Sequence, residues 1–382
     1  CSPSRAALLT GRVHLRSGMF GRRQGVFFPD SRAGLPADEV TLAEALRELG
    51  YATGIVGKWH LGHLPEYLPT RHGFDSWFGI PYSNDMDWNL PPGLANRTAY
   101  FNPQVDYWRV PLMRDEEEIE RPADQHTVTR RYAEEAAAFI ELHQHEPFFL
   151  YLPHTMPHMP LFRSGEFEGR SSAGVYGDVI EEIDWAVGEV IEVLDRLNLS
   201  TRTLVVFTSD NGPWSMLGPH AGTAKPLRGE KSTSWEGGYR VPGIFRWPGK
   251  IKPGKVDGLA ANLDLYATFA TLSGGDQPEG LQGFISKDIS GVLLRGAASP
   301  RKKWFYSSGS IAFRSTKYKI HLSTKNRSSN PDTRAREPIT KHDPPLLYDL
   351  STDIREQMNI GADHPEIVAR LLREMVAFRE GR

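Results

Sequence analysis

The chain has 382 residues, 39% of them hydrophobic and 24% charged, with a formal net charge of −2. That length allows one large or two modest domains around a packed core, and the composition is that of a globular protein. The balanced charge excludes a whole-chain electrostatic reason to bind nucleic acid or an anionic membrane; no apolar run reaches the roughly 20 residues of a membrane span, and the single cysteine, Cys1, cannot form an internal disulfide.

The chain opens CSPSRAALLTGR. Pro3 suits the first turn of a helix, and i, i+4 spacing would then set Cys1 and Arg5 on one side of it. The segment TLAEALRELG reads as an amphipathic helix over 41–50, with Thr41 as N-cap and Gly50 as stop, and it runs straight into the strand-like YATGIVG. A helix over 127–144 precedes PFFLYLP, and one over 175–197 precedes TLVVFTSDNG. Helices feeding short apolar strands predict a buried, mostly parallel sheet in an α/β domain.

From about Arg301 the pattern changes to short strands with little helix between them, then one more strand within PPLLYDLSTDIREQMNI and an amphipathic helix over 364–379. The expected organisation is an α/β domain at 1–300 and an appended α+β subdomain at 301–382, a small antiparallel sheet with one packed helix. The polar segment 324–344 is expected to be a mobile surface loop.

Chemically capable residues follow the strands at KWHLGH, HTMPHMP and DNGP, which is where open α/β sheets place their sites. Lys58 and His60 flank Trp59, so an extended backbone would project both to one face, a cation beside a group that titrates near neutrality. Asp210 and Asn211 end TLVVFTSDN with hard oxygen donors suited to Ca²⁺ or Mg²⁺, although an isolated DNG is also ordinary turn chemistry. Tyr82, Trp88, Tyr107, Trp108 and Trp214, in the loops 80–125 and 212–228, could stack on a sugar or an aryl ring or anchor those loops. Sequons at Asn96, Asn198 and Asn326 are too common by chance to assign a compartment.

CSPSRAALLTGR matches the CxPxR signature of the type I sulfatases, GYATGIVGKWHLG their second signature, and FTSDNGP and EKSTSWEGGYRVP their later motifs in order. The chain resembles this family over its whole length. The resemblance implies an alkaline-phosphatase-like fold, with a large, mostly parallel sheet between helices, and an arylsulfatase-like hydrolysis of sulfate monoesters. It implies that Cys1 is converted by a maturation enzyme to formylglycine, whose hydrate attacks sulfur with one hydroxyl and releases sulfate by collapse of the other. Arg5 would hold the hydrate. Lys58 would contact hydrate and sulfate, and His60 would position the diol and act as base. His158, favoured over His154 because it stands two residues before Pro160, would meet the leaving oxygen. Lys231, rather than Lys225, would be the second sulfate lysine. Ser83 would add a substrate hydrogen bond, and Asp210 with Asn211 would ligate a cation that the family makes Ca²⁺ in preference to Mg²⁺. His63 falls outside the pattern and reads as structural. The resemblance also implies a periplasmic, secreted or lysosomal-type location.

The family carries a further pair of adjacent acidic metal ligands upstream of its cysteine, and the chain begins at Cys1. It is therefore expected to be a piece of a longer protein, inactive and less stable alone. Two alternatives stay open: a phosphonate monoester or phosphodiester hydrolase on the same fold, and a non-catalytic anion-binding homologue in which Cys1 remains a thiol.

Overall fold

A computed structural model describes residues 1–14, 17–19, 25–276, 285–307, 309–328 and 335–380. Helix α1 (Ser2–Thr10) has Cys1 as N-cap and ends at Gly11, whose φ of 65° supplies the left-handed cap. Helix α2 (Leu42–Glu48) begins as expected at Thr41, which accepts from the Glu44 N–H while the Glu44 carboxylate accepts from the Thr41 N–H. There follow β1 (Ala52–Val56), β2 (Ser76–Gly79), α3 (Asn96–Phe101), β3 (Leu112–Arg114), β4 (Glu117–Glu120), α4 (Val128–Leu142), β5 (Phe148–Tyr151) and α5 (Gly174–Arg196). Beyond them lie β6 (Val205–Thr208), α6 (Glu236–Tyr239), β7 (Gly243–Arg246), α7 (Asp264–Leu272) and α8 (Ser290–Arg295). The tail comprises β8 (Lys303–Ser307), β9 (Ile311–Ser315), β10 (Tyr318–Thr324), β11 (Thr340–Asp349) and α9 (Pro365–Arg379). No described helix is long and apolar enough to cross a membrane.

The chain divides into two compact units. The first, residues 1–205, 245–253 and 262–294, holds a five-stranded sheet in the order β4-β3-β2-β1-β5. β1 runs parallel to both β2 and β5, so the predicted parallel sheet is present at its centre, while β3 and β4 extend it antiparallel. Ile140 of α4 and Val193 and Leu194 of α5 pack with Phe148 and Leu150 of β5, and Tyr266 of α7 packs with Leu42 and Leu46 of α2. These helices cover the sheet because their apolar stripes have the 3.6-residue period that the sequence displays.

The central strands are drawn together beyond their ends. Gly57 has φ 132°, and a Cβ there would lie 2.2 Å from the Pro153 carbonyl oxygen; a Cβ on Gly79 would lie 1.8 Å from the Gly57 carbonyl oxygen. Only glycine permits this approach. The Gly57 N–H bonds to Phe78 O at 2.8 Å and the Lys58 N–H to Pro153 O at 2.8 Å, so the segment after β1 is held from both sides.

The second unit, residues 206–244, 254–261 and 295–382, contains the antiparallel sheet β11-β10-β9-β8 and α9, as the tail pattern predicted. Phe313, Ile320 and Leu347 of the sheet form a core with Val368, Leu371 and Met375 of α9. The expectation of a loop over 324–344 needs correction at its ends: Thr324 belongs to β10 and Thr340 to Pro344 belong to β11, with Thr340 opposite Thr324 and Lys341 opposite Ser323 before a register shift. Residues 329–334 of that segment lie outside the described residues. β6 pairs with β7 in a separate two-stranded sheet among the described residues, and Phe207 of β6 is 38% exposed.

Behind this sheet lies a buried charge network. Lys319 Nζ, fully buried, is 2.8 Å from Glu236 Oε1 and 3.0 Å from Glu356 Oε1; Arg314 donates to Glu236 Oε2 at 2.7 Å and Tyr306 to Glu236 Oε1 at 2.6 Å. The Glu236 N–H in turn bonds Glu356 Oε2 at 2.7 Å. His321 donates from Nε2 to Glu356 at 2.8 Å and accepts at Nδ1 from Ser234 at 3.3 Å, the neutral form, with burial first holding it at about 4. Two cations thus face two carboxylates with every polar neighbour directed inward, the condition under which buried charge is tolerated.

Two predictions follow from these junctions. Gly57→Ala, strained in φ and in collision with Pro153, is expected to lower unfolding free energy by roughly 2–5 kcal/mol in urea titration. Lys319→Met removes the cation shared by Glu236 and Glu356, leaving Glu236 with Arg314 and Glu356 with no buried lysine beside it, and should destabilise by about 3–5 kcal/mol. Burial opposes ionisation of Glu236, but Lys319 and Arg314 outweigh it and depress its carboxyl to about 2. Its contribution is therefore complete above the ordinary carboxylate range and lost as pH falls toward 2, so the wild-type minus Lys319→Met difference in urea midpoint should shrink across that window.

Candidate active site

Because β2, β1 and β5 are adjacent and parallel, the segments leaving their C-terminal ends emerge along one edge. Lys58 follows β1, Ser83 to Asp85 follow β2, and His158 follows β5. Lys58 is 1% exposed, and its Nζ lies 3.7 Å from Cys1 Sγ and 3.1 Å from Ser83 Oγ. The Ser83 hydroxyl lies 3.3 Å from His158 Nδ1, closing a chain of contacts from Cys1 to His158.

Helix α1 supports this arrangement through two side chains. Arg5 donates to the Lys58 carbonyl at 2.6 Å and Ser2 to the His60 carbonyl at 2.7 Å. Both donors are buried, and both tie the N-terminal turn that carries Cys1 to the 58–60 segment. Arg5 therefore orients Lys58 through its backbone; Ser2 is a positioning residue that its motif letter did not signal.

The extended alternation expected for Lys58 and His60 does not hold. His60 has φ 63°, which turns its ring away from the simple two-residue period. Its Nε2 lies 2.9 Å from the Phe27 carbonyl, which can only accept, so Nε2 carries the hydrogen and Nδ1 bears the lone pair. Nδ1 is buried and has no hydrogen-bond partner among the described residues. Burial, then the Lys58 charge, holds the ring well below its ordinary pKa. His60 is thus a neutral imidazole with an open acceptor.

His158 is the opposite case. Its Nδ1 lies 2.8 Å from the Met159 carbonyl and 3.2 Å from Asn84 Oδ1, so Nδ1 carries the hydrogen. Asn84 is fully buried, and its amide nitrogen donates to Gln125 Oε1, His158 O and Pro160 O, which fixes which way the amide faces. His154, the competing histidine, has both ring nitrogens buried and without hydrogen-bond partners among the described residues, and burial lowers it to about 4. It is not part of the contact chain. His63 packs edge-on to Tyr82 at 5.8 Å.

Asn84 and Asp85 were missed by sequence reasoning. The only signal was their place next to Ser83 after a strand, in a tetrapeptide that reads equally well as plain loop.

The remaining sequence-predicted residues belong to the second unit. Lys231 has its N–H on Pro213 O at 2.8 Å and its Nζ 5.4 Å from the Trp214 ring centre, and the next residue, Ser232, has φ 68°. Its neighbour Glu230 is buried and accepts from the Ser215 N–H and hydroxyl and from the Ser328 N–H. Asp210 and Asn211 are half-buried; the Asn211 amide nitrogen donates to Gly212 O at 2.9 Å, and Gly212 is pressed against Gly237. Both present oxygen donors fit for a hard cation. Among the described residues no group of three or more His, Cys, Asp or Glu side chains could hold a metal. Lys225 is exposed.

Of the five loop aromatics, Tyr82 and Trp108 are buried anchors at 4% and 0% exposure, whereas Trp88 is 44% exposed. The Trp88 ring stands edge-on to Tyr100 and Trp108 beneath it.

A family model described as Sulfatase matches residues 1–275, and one described as the C-terminal region of aryl-sulfatase matches residues 299–380. Arylsulfatase A of Bos taurus is 41% identical over 385 residues, covering 94% of this chain and 74% of that protein. An arylsulfatase of Hemicentrotus pulcherrimus is 36% identical, covering 92% and 67%. The crystal structure of PsFucS1 sulfatase from Pseudoalteromonas sp. superimposes with a TM-score of 0.86 at 27% identity, covering 100% of this chain and 80% of that one. The α/β architecture is therefore the alkaline-phosphatase-like one that the motifs implied. Matched along nearly its full length by the family's sequence pattern and by its folded form, the chain belongs to the sulfatase family.

Proposed function

We propose that the chain is a sulfuric ester hydrolase of arylsulfatase type, acting on aryl or carbohydrate sulfates through a nucleophile derived from Cys1. The observation that carries this reading is the convergence of Cys1, Lys58, Ser83 and His158 at three adjacent strand ends in a member of this family. Formylglycine, once a maturation enzyme has formed it from Cys1, supplies a hydrated aldehyde that can attack sulfur and later release sulfate. The residues around it do the rest. Lys58 places a buried ammonium where negative charge develops, and Arg5 holds that lysine's backbone. His60, neutral with an open Nδ1, is suited to accept a proton; His158, with Nδ1 already hydrogen-bonded, is suited to give one from Nε2 to the leaving oxygen.

Lys231 is the second sulfate cation in this reading. Asp210 and Asn211 would hold a divalent cation, Ca²⁺ in preference to Mg²⁺, whose charge would favour ionisation of groups beside it. Residues 1–300 form the catalytic domain and 301–382 the α+β subdomain, supported by the separate spans of the two family models. The exposed Trp88 ring offers an apolar face to an aryl or sugar group. The resemblance favours a periplasmic, secreted or lysosomal-type setting, where a maturation enzyme must have acted first.

Mass spectrometry of the Cys1 peptide from a competent host should show a lowered mass, whereas a purely unmodified thiol would overturn the nucleophile assignment. Nitrophenyl sulfate should be turned over in preference to a phosphonate monoester, and the reverse order would favour the phosphonate reading. Lys231→Ala should reduce kcat/KM for the sulfate roughly 10²–10³-fold, the range for removing one transition-state donor.

A further inference from the structure

Asp85 is partly buried against the contact chain but belongs to none of the family motifs read in the sequence. Its Oδ2 accepts from Tyr100 OH of α3 at 3.0 Å, while Oδ1 is buried, has no hydrogen-bond partner among the described residues, and lies 3.9 Å from His158 Nδ1. A buried carboxylate oxygen left without a hydrogen bond is costly unless a cation faces it. Burial alone would push the Asp85 carboxyl up; the His158 ring, the Ser83 hydroxyl, the Lys58 ammonium and the Tyr100 hydroxyl outweigh it and hold the carboxyl below its usual range. Those are the titratable and charged groups facing it, from the segments after β5, β2 and β1 and from α3.

The oxygens around His158 Nδ1 complete the picture. Met159 O at 2.8 Å, Asn84 Oδ1 at 3.2 Å, Ser83 Oγ at 3.3 Å and Asp85 Oδ1 at 3.9 Å all crowd one nitrogen, and only Asp85 brings a full negative charge. Three neutral oxygens would fix the tautomer; the carboxylate adds a reason for the ring to stay cationic.

We propose that Asp85 is a positioning residue that keeps His158 protonated at both nitrogens in the resting site, so that Nε2–H is available to the leaving oxygen. As the S–O ester bond breaks, that proton passes from Nε2 to the departing alkoxide or phenoxide. The ring is left neutral with Nδ1–H still bonded to Met159, and a proton from water restores it. The inference rests on the reading of His158 as the acid. It makes Asp85 a determinant of substrate range: the enzyme would handle poor leaving groups, such as sugar hydroxyls, because Asp85 keeps the acid loaded.

The test compares Asp85→Asn and His158→Ala on a series of sulfate esters running from activated nitrophenyl to alkyl and sugar sulfates. Asp85→Asn, which keeps size and an acceptor for Tyr100, should lose at least ~10-fold more kcat/KM on sugar sulfates than on nitrophenyl sulfate, part of the 10²–10⁴-fold available to a general acid. The alkaline limb of its pH profile should move to lower pH by about one unit, because the ring loses its proton sooner without the carboxylate. If His158→Ala is selective for poor leaving groups but Asp85→Asn slows all esters equally or none, the proposal for Asp85 is wrong and the acid reading stands. If His158→Ala is itself unselective, the acid reading fails and this proposal with it. Should Asp85→Asn not fold, ¹⁵N shifts of His158 in the wild-type protein decide: a ring with Nδ1–H that stays cationic above about 6.5 is expected, and one already neutral below that value would overturn it.

Discussion

Three backbones meet at van der Waals limits where the central strands end: Gly57 against Pro153, and Gly79 against Gly57. Everything else at the candidate site depends on that contact. It brings the exits of β1, β2 and β5 close enough for short side chains to touch, and it aims the Lys58 N–H and Trp59 N–H alternately at the two flanking segments. A side chain at either glycine would separate the strand ends, and Lys58 could no longer reach both Cys1 and Ser83.

Upon that frame the two histidines take opposite states for reasons that can be named. His60 sits in a shell of burial and positive charge, with a carbonyl fixing its hydrogen on Nε2. His158 has a carbonyl fixing its hydrogen on the other nitrogen and a carboxylate within reach. The same side chain type presents a different nitrogen in each place because its neighbours fix which one carries the hydrogen.

In the second unit, the motif segment that carries Lys231 is braced by groups on either side of it. Glu230 gathers Ser215 and Ser328, and Glu236 is locked into the buried network of Lys319, Arg314, Tyr306 and Glu356. Glu236 is five residues from Lys231, so side chains of the tail sheet hold the chain close to that lysine.

Much of this was legible in one dimension. Helix caps, strand runs and the change of pattern near residue 300 follow from short-range spacing, because periodicity and capping are local physics, while Cys1, Arg5, Lys58, His158 and Lys231 were singled out by the resemblance to the sulfatase motifs. What could not be read were long-range outcomes: that Arg5 and Ser2 would spend their donors on the 58–60 carbonyls, that a left-handed His60 would break the expected alternation, and that Asn84 and Asp85 would surround His158. Those depend on which strand ends become neighbours and at what register, and no side chain's partner is specified until residues 58, 83 and 158 are brought within a few ångströms. The amino-acid order determined which chemical groups this sulfatase owns and where each strand stops; the tertiary contact between strand ends decided which nitrogen holds each proton.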